Sequence, residues 1–392
     1  MGAALAARIS ADLVAVRAAN RHRTLEDRDS PQGVQIIIGG RTLINFTSND
    51  YLGLAADERV IKRVAREINT QGFGSGGAAL LSGRSALHSQ LERELADFTG
   101  MDSAILFSSG YLANLGALSV LIAPQDYVLH DRLNHASLID AVIASGARHR
   151  RYPHCDYQRL RTLLSERTEA VKWVLTESVF SMDGDSAPLQ EIESACTATD
   201  ATLYVDDAHG FGILNQAVGA AASLDPARRR DQVLMITLGK SLGAVGGVVL
   251  GPAATIDFLL QHARTFIYDT ALPPVCAAAA LEALAIVRDQ PTRHLALMHN
   301  VRHFRRCAGE AGIAIANSQS PIQPILIGDD GRTVAIAAAL TAAGFYIRAI
   351  RPPTVPPGTA RLRITLTASH TTTQIEALVA VLAQALLSCL PR

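Results

Sequence analysis

The chain has 392 residues, 36 basic and 36 acidic, and a formal net charge of zero, so it lacks the overall basic excess that marks nucleic-acid binders, and no run of about 18 uncharged apolar residues is present to span a membrane. With 48% hydrophobic and 18% charged residues, the composition is that of a globular chain of two or three domains. Only Lys62, Lys172 and Lys240 are lysines, so chemistry that needs a side-chain primary amine has three possible carriers.

Leu5, Ile9, Leu13 and Arg17 recur every four residues and predict a first helix over roughly 3–22. Arg8 and Asp12 interrupt any signal-peptide core there. Two β-like runs, 34–38 and 42–46, meet at Gly39-Gly40, a favoured hairpin turn. From Asp57 onward helical patterns alternate with short apolar runs, which predict strands at 104–107, 127–129, 171–176, 202–205, 233–237 and 247–250. The helical stretch 85–98 places Leu87, Leu91, Leu95 and Phe98 on one face. Apolar strands alternating with helices predict a mostly parallel sheet covered on both faces, an α/β fold. Beyond about residue 290 the order changes to a long helix, a strand at 322–327, a helix at 332–343, strands at 346–350 and 361–366, and a last helix, which reads as a smaller α+β domain. The proline-rich 351–358 is short enough to be an ordered turn. The expected organisation is an N-terminal helix-and-hairpin segment over 1–47, a large domain over 48–288 and a small domain over 289–392. Five scattered cysteines (Cys155, Cys196, Cys276, Cys307 and Cys389) never form a CxxC pair. They are expected to be free thiols packed as small hydrophobes in a reducing cytoplasm, with no zinc site.

Three short motifs lead elsewhere. Gly239-Lys240-Ser241 resembles the end of a P-loop, but Leu234 stands where that motif needs another glycine. Residues 239–243 also match the GxSxG elbow, which would make Ser241 a hydrolase nucleophile. The elbow needs a helix straight after its serine, and 244–251 (AVGGVVLG) reads as a strand with glycine entry. The GxGxxG at 72–77 follows a helical pattern instead of the strand a dinucleotide site requires.

A different constellation fits one chemistry. Ser108, Ser109, Gly110 and Tyr111 lie between a predicted strand and a predicted helix, where backbone N–H groups suit a phosphate. Asp206, Asp207 and His209 follow the strand at 202–205, and Lys240 follows the strand at 233–237. Strand ends of this kind are where α/β sheets place ligands. Lys62 lies on a polar helix face and Lys172 flanks a strand, so Lys240 has the one functional setting. A phosphate cradle, a carboxylate and a lysine are what pyridoxal 5'-phosphate needs: an amine for the Schiff base, an acid for the pyridine nitrogen and an anchor for the phosphate.

On the stretches 48–54 (SNDYLGL), 74–77, 108–111, 133–138 (LNHASL), 176–189 (TESVFSMDGDSAPL), 205–210 (VDDAHG) and 237–243 (TLGKSLG), the sequence resembles the α-oxoamine synthase family over about 43–370. These enzymes condense an amino acid with an acyl thioester and expel carbon dioxide. The resemblance implies the type I fold of pyridoxal-phosphate transferases, with a seven-stranded-type sheet plus a smaller C-terminal domain, and a homodimer with two shared active sites. Within the family, 321–328 (PIQPILIG) and 350–370 (IRPPTVPPGTARLRITLTASH) most resemble members that join L-alanine to pimeloyl-CoA or pimeloyl-acyl carrier protein. The glycine-using 5-aminolevulinate synthases, an alternative, share the lysine region but less of 350–356; glycine C-acetyltransferase is another alternative in the family.

The resemblance also implies roles. Lys240 carries the cofactor and removes the α-proton, Asp206 pairs with the ring nitrogen and His135 lies against the ring face. His209 and Ser181 reach the phenolic-oxygen and phosphate side. Thr237 and the Ser109-Gly110-Tyr111 turn hold the phosphate or ring edge. Arg363, helped by Asn49, would take the amino-acid carboxylate, because a guanidinium fork matches a carboxylate. Arg23 and Thr354 match positions near the acyl substrate. Two stretches depart from the family pattern. Residues 74–80 read GSGGAAL where relatives read GSGGSGH, and 268–271 replaces a serine-rich stretch, which leaves Thr270 as the hydroxyl available for an inter-subunit phosphate contact.

Overall fold

Gly39 and Gly40 take φ values of +55° and +73°, the left-handed geometry that a two-residue hairpin turn requires. They join strands β1 (Gln35–Ile38) and β2 (Arg41–Asn45). The computed structural model describes residues 1–388, with the side chains of 229–231 outside that description, and Cys389 lies outside the described residues. The first helix covers Ala3–Ala18 and stops short of residue 22.

The apolar runs that follow become one sheet. Its strands are β3 (Ser103–Phe107), β4 (Tyr127–Asp131), β5 (Arg148–Tyr152), β6 (Lys172–Glu177), β7 (Thr202–Asp206), β8 (Gln232–Thr237) and β9 (Gly247–Gly251), in the order β3-β9-β8-β7-β6-β4-β5. All neighbouring pairs are parallel except those of β9, which runs antiparallel to β3 and β8. Strands β4, β7 and β9 are buried along nearly their whole length, as a sheet covered on both faces demands. One face packs Val128, Leu175 and Val249 against Leu118, Leu138 and Leu259 of the covering helices. Each such fully buried leucine contributes about 2 kcal/mol of burial free energy.

The second set of strands is β10 (Ile322–Gly328), β11 (Phe345–Tyr346), β12 (Ala349–Ile350) and β13 (Ala360–Thr365). Strands β10, β13 and β12 form an antiparallel sheet, while β11 pairs in parallel with β2 and completes the hairpin's sheet. The single strand expected at 346–350 is therefore two short strands in different sheets. The last helix, Thr372–Ser388, packs Ile375, Leu378 and Leu382 into the same apolar cluster as Phe46 and Ile364.

Contacts divide the described chain into two units. One holds Met1–Tyr51, Met182–Gly184 and the chain from Ala296 onward; the other holds Leu52–Ser181 and Asp185–Leu295. The N-terminal segment is thus not separate, because its hairpin finds its third strand in Phe345–Tyr346.

Candidate functional site

Five strand ends converge in the larger unit. The strand β7 finishes on Asp206, β6 on Glu177 and β8 on Thr237, followed at once by the turn that carries Lys240. After β4 the loop reaches His135, which caps the helix Ala136–Ser145. After β3, Ser109 caps the helix Gly110–Leu121 by accepting from the Leu112 N–H at 3.2 Å. The lysine turn is held by close backbone packing: Gly243 has φ +61°, and a Cβ there would lie 2.3 Å from the Ala55 nitrogen. Only glycine meets both conditions.

These ends enclose a cavity of about 180 Å³ lined by Gly110, Tyr111, Asn114, His135, Ser137, Glu177, Asp206, Ala208, His209, Met235, Thr237 and Lys240. Asp206 is 3% exposed. Its Oδ2 accepts from Asn114 Nδ2 at 2.7 Å and its Oδ1 from the Ala208 N–H at 2.9 Å. The same Asn114 nitrogen donates to Ser137 Oγ at 2.8 Å, and Tyr204 donates its hydroxyl to Asn114 Oδ1 at 2.8 Å. The carboxylate is therefore fixed in orientation by a fully buried network.

The His135 ring contacts Ser137 Oγ at 2.8 Å through Nδ1 and meets the Tyr111 ring edge-on at 6.3 Å. Burial pushes its pKa down; Asp206 pulls it up and Lys240 pushes it further down. The Tyr111 hydroxyl donates to Asp140. The backbone N–H of His135 donates to Glu177 Oε1 at 2.6 Å. Glu177 sits beside Asp206 in register on neighbouring strands. Burial, and then the Asp206 charge, push the Glu177 pKa well above the usual carboxylate range, because two adjacent carboxylates disfavour a second negative charge. Thr237 donates its hydroxyl to the Gly246 carbonyl at 3.0 Å and accepts from the Gly239 N–H at 3.3 Å, which braces the lysine turn.

Pyridoxal phosphate fits this donor set. Lys240 supplies a primary amine, and Asp206 is a buried carboxylate held by two donors with lone pairs left for a protonated ring nitrogen. The first N–H groups of the helix Gly110–Leu121 lack partners within the helix, which suits phosphate oxygens. The structure brings Gly110, Tyr111, His135, Asp206, His209, Thr237 and Lys240 together, with Ser109 capping the adjacent helix. Ser181 stands beside Glu177 and hydrogen-bonds to it through its backbone. Thr270 lines a different, small cavity with His88 and Ser108, and its backbone bridges to Ala78. Asn114, Ser137, Glu177 and Met235 were not singled out from sequence. For Asn114 the available signal was one amide in an otherwise apolar helix; for Glu177 it was a carboxylate ending an apolar strand.

Ser241 is 1% exposed and donates its hydroxyl to the Phe211 carbonyl at 2.7 Å. The chain after it turns into β9 with no helix, so the hydrolase reading fails.

In the smaller unit, Arg363 is 7% exposed. It donates to Asn49 Oδ1 at 3.1 Å, to Thr365 Oγ1 at 3.2 Å and to the Tyr51 hydroxyl at 3.5 Å. Arg23 reaches the Pro352 carbonyl and Thr354 Oγ1, each at 3.4 Å. Both pairs assigned to substrates from sequence are thus neighbours within this unit.

A model of the family "Aminotransferase class I and II" matches residues 41–382. The chain is 46% identical over 376 residues to the 8-amino-7-oxononanoate synthase of Alcanivorax borkumensis, covering 96% of this chain and 97% of that one. It is 47% identical over 355 residues to the enzyme of the same name from Hahella chejuensis, covering 90% of each. Among solved structures, the serine palmitoyltransferase of S. paucimobilis with PLP and myriocin bound superposes with a TM-score of 0.91 at 27% identity, over 97% of both chains. The 8-amino-7-oxononanoate synthase of Francisella tularensis superposes with a TM-score of 0.75 at 29% identity, over 87% of this chain and 97% of that one.

Proposed function

Because the chain belongs to the 8-amino-7-oxononanoate synthases within the class I and II aminotransferase family, we propose that it condenses L-alanine with a pimeloyl thioester at the Lys240 site. The products are 8-amino-7-oxononanoate, carbon dioxide and the free thiol, an early step of biotin synthesis. The observation that carries this reading is the convergence of Lys240, Asp206 and His135 on one cavity.

Bound there, pyridoxal phosphate supplies an aldehyde that exchanges amines and a protonated ring that takes up the electron pair left when the α-proton departs. The residues of the chain do the rest. Lys240 would hold the cofactor through its amine, and that same amine would supply the base for the α-proton. Asp206, oriented by Asn114 and the Ala208 N–H, keeps the proton on the ring nitrogen. His135, its pKa lowered by burial, offers a neutral imidazole to the ring face. Ser109, Gly110, Tyr111, Thr237, His209 and Ser181 complete the cofactor's polar surroundings. Arg363 with Asn49 takes the alanine carboxylate as a guanidinium fork. Arg23 and Thr354 serve the acyl donor, whether coenzyme A or a carrier protein presents it.

The working form in this reading is a homodimer in the cytoplasm. Support for the dimer is the exposed apolar side chains Phe73, Leu81 and Tyr268, on segments tied together by the Ala78–Thr270 bridge; such exposed apolar residues favour association. In that dimer Thr270 reaches a partner's phosphate. Among the described residues no helix is long and apolar enough to cross a membrane.

The test supplies pyridoxal phosphate, L-alanine and pimeloyl-CoA to the purified protein and reads thiol release and product mass. Alanine-dependent release with the mass of 8-amino-7-oxononanoate is expected. The likeness to serine palmitoyltransferase makes serine with a long-chain thioester the informative competitor, with glycine beside it. Faster turnover of either pair would move the assignment within the family, and no release with any pair would end it.

A further inference from the structure

The loops that follow β4 and β6 also carry a group of charges that no step above uses, with Asp131 buried and His154 and Asp185 half-buried. Asp131, the last residue of β4, is fully buried. Its Oδ1 accepts from the Leu133 N–H at 2.8 Å and its Oδ2 from the Cys155 N–H at 2.8 Å. His154 touches Asp131 Oδ1 at 2.9 Å through Nδ1 and Asp185 Oδ2 at 2.8 Å through Nε2. Its ring also packs edge-on against Phe180 at 4.4 Å. Asp185 in turn accepts the Phe180 N–H on its backbone carbonyl at 2.9 Å, and Val179 bridges to Ser186.

Both ring nitrogens face carboxylates, so both must donate, and only an imidazolium donates from both. Burial alone would lower the His154 pKa, but the hydrogen bonds that it donates to Asp131 and Asp185 outweigh it and carry it to about 12. The cation joins two strand-end loops. One, from Asp131, leads to His135; the other, from Glu177, leads to Ser181. On the cavity side the same two loops meet again at Glu177, which takes backbone N–H groups from His135 and Ser181.

We propose that His154 is a positioning residue, an ionic clamp between Asp131 and Asp185 that fixes the His135 loop and the Ser181 loop in register for the cofactor. It touches neither substrate nor cofactor and acts through the backbone. Charge-assisted hydrogen bonds are strong and directional, and losing His154 leaves the buried Asp131 charge without its counter-charge. The clamp therefore sets how tightly both loops are held before any ligand arrives. The inference rests on the reading that His135 and Ser181 face pyridoxal phosphate, so its test begins without the cofactor.

Two variants break the clamp from opposite sides, His154→Gln and Asp185→Asn, with His303→Gln as a distant control. Amide hydrogen exchange is measured on the cofactor-free proteins, followed by titration with pyridoxal phosphate and steady-state kinetics. Peptides covering 132–138 and 177–187 are expected to exchange about tenfold faster in both clamp variants, while the buried helix Pro274–Asp289 and the control stay at parental rates. The dissociation constant for pyridoxal phosphate should rise by about the same factor. Exchange that is unchanged in those peptides, or raised equally across the chain, would overturn the clamp. Faster exchange with parental cofactor affinity would overturn its positioning role. Should His154→Gln fail to fold, the Asp185→Asn protein decides alone. A parent that binds no pyridoxal phosphate would instead count against the proposed function, and the exchange data would still judge the clamp.

Discussion

At the scale of single residues, the site separates two carboxylates that lie side by side. Asp206 has hydrogen-bond donors on both oxygens, from Asn114 and Ala208. Glu177 is buried next to it and is driven toward its neutral form, first by desolvation and then by the Asp206 charge. In the proposed function Asp206 is the counter-charge for the ring nitrogen, while Glu177 anchors the backbone N–H groups of His135 and Ser181. Asp206→Asn removes that counter-charge. Its new NH2 must also face either the Asn114 amide or the Ala208 N–H, so a donor meets a donor. Turnover in the thiol-release assay should fall by about a hundredfold, the cost of losing a charged hydrogen bond and opposing another donor. Affinity for pyridoxal phosphate, read by absorbance titration, should weaken in parallel. Parental turnover in this variant would remove Asp206 from the mechanism.

At the scale of elements, His370 ties the segment after β13 to the hairpin. Its Nδ1 accepts from the Thr367 N–H at 2.9 Å, so Nε2 carries the proton and donates to the Asn45 carbonyl at 3.0 Å. The ring stacks on Phe46 at 4.1 Å. Burial lowers its pKa to about 4, because the charged imidazolium would lose its hydration there. The unfolded chain takes up that proton near pH 6.5, so the stability His370 contributes is complete above about 6.5 and is lost as the pH falls toward 4, by about 3 kcal/mol in all. Thermal melts of the parent and of His370→Gln from pH 7 to 4.5 should show a steeper acid decline in the parent. Equal slopes would sink the assignment. The same scale shows what a sequence carries. Apolar runs marked the buried strands β3, β4 and β6–β9, and strand-end placement marked Asp206 and Lys240. The edge strand β5 (RHRRY) escaped because it exposes all but Tyr152, as edge strands do with charge. The run at 346–350 was read as one strand because periodicity does not say which sheet a strand joins. Asn114, Glu177 and His154 were missed for a related reason: their partners lie on strands and loops brought alongside only by the topology.

At the scale of the whole molecule, the composition becomes an experiment. Of the 36 basic residues, 33 are arginines, whose guanidinium groups stay protonated and do not condense with an aldehyde. The amines that remain are three and unlike one another. Lys62 is exposed and pairs with Glu58 at 2.6 Å, a solvated ammonium on a helix surface. Lys172 donates to the Glu169 carbonyl at 3.2 Å, well outside the cavity's lining. Lys240 alone of the three lines the cavity shared by Asp206, His135 and Glu177, where a cofactor aldehyde would be held next to its amine. Borohydride added to the protein after incubation with pyridoxal phosphate should therefore fix one pyridoxyl group per chain, and peptide mapping should find it on Lys240. Lys240→Ala should lose the reduced label while still binding the cofactor reversibly, since the phosphate cradle and Asp206 remain. A label on Lys62 or Lys172 in the parent, or undiminished labelling of the variant, would show that surface amines compete and that the cavity does not select its lysine.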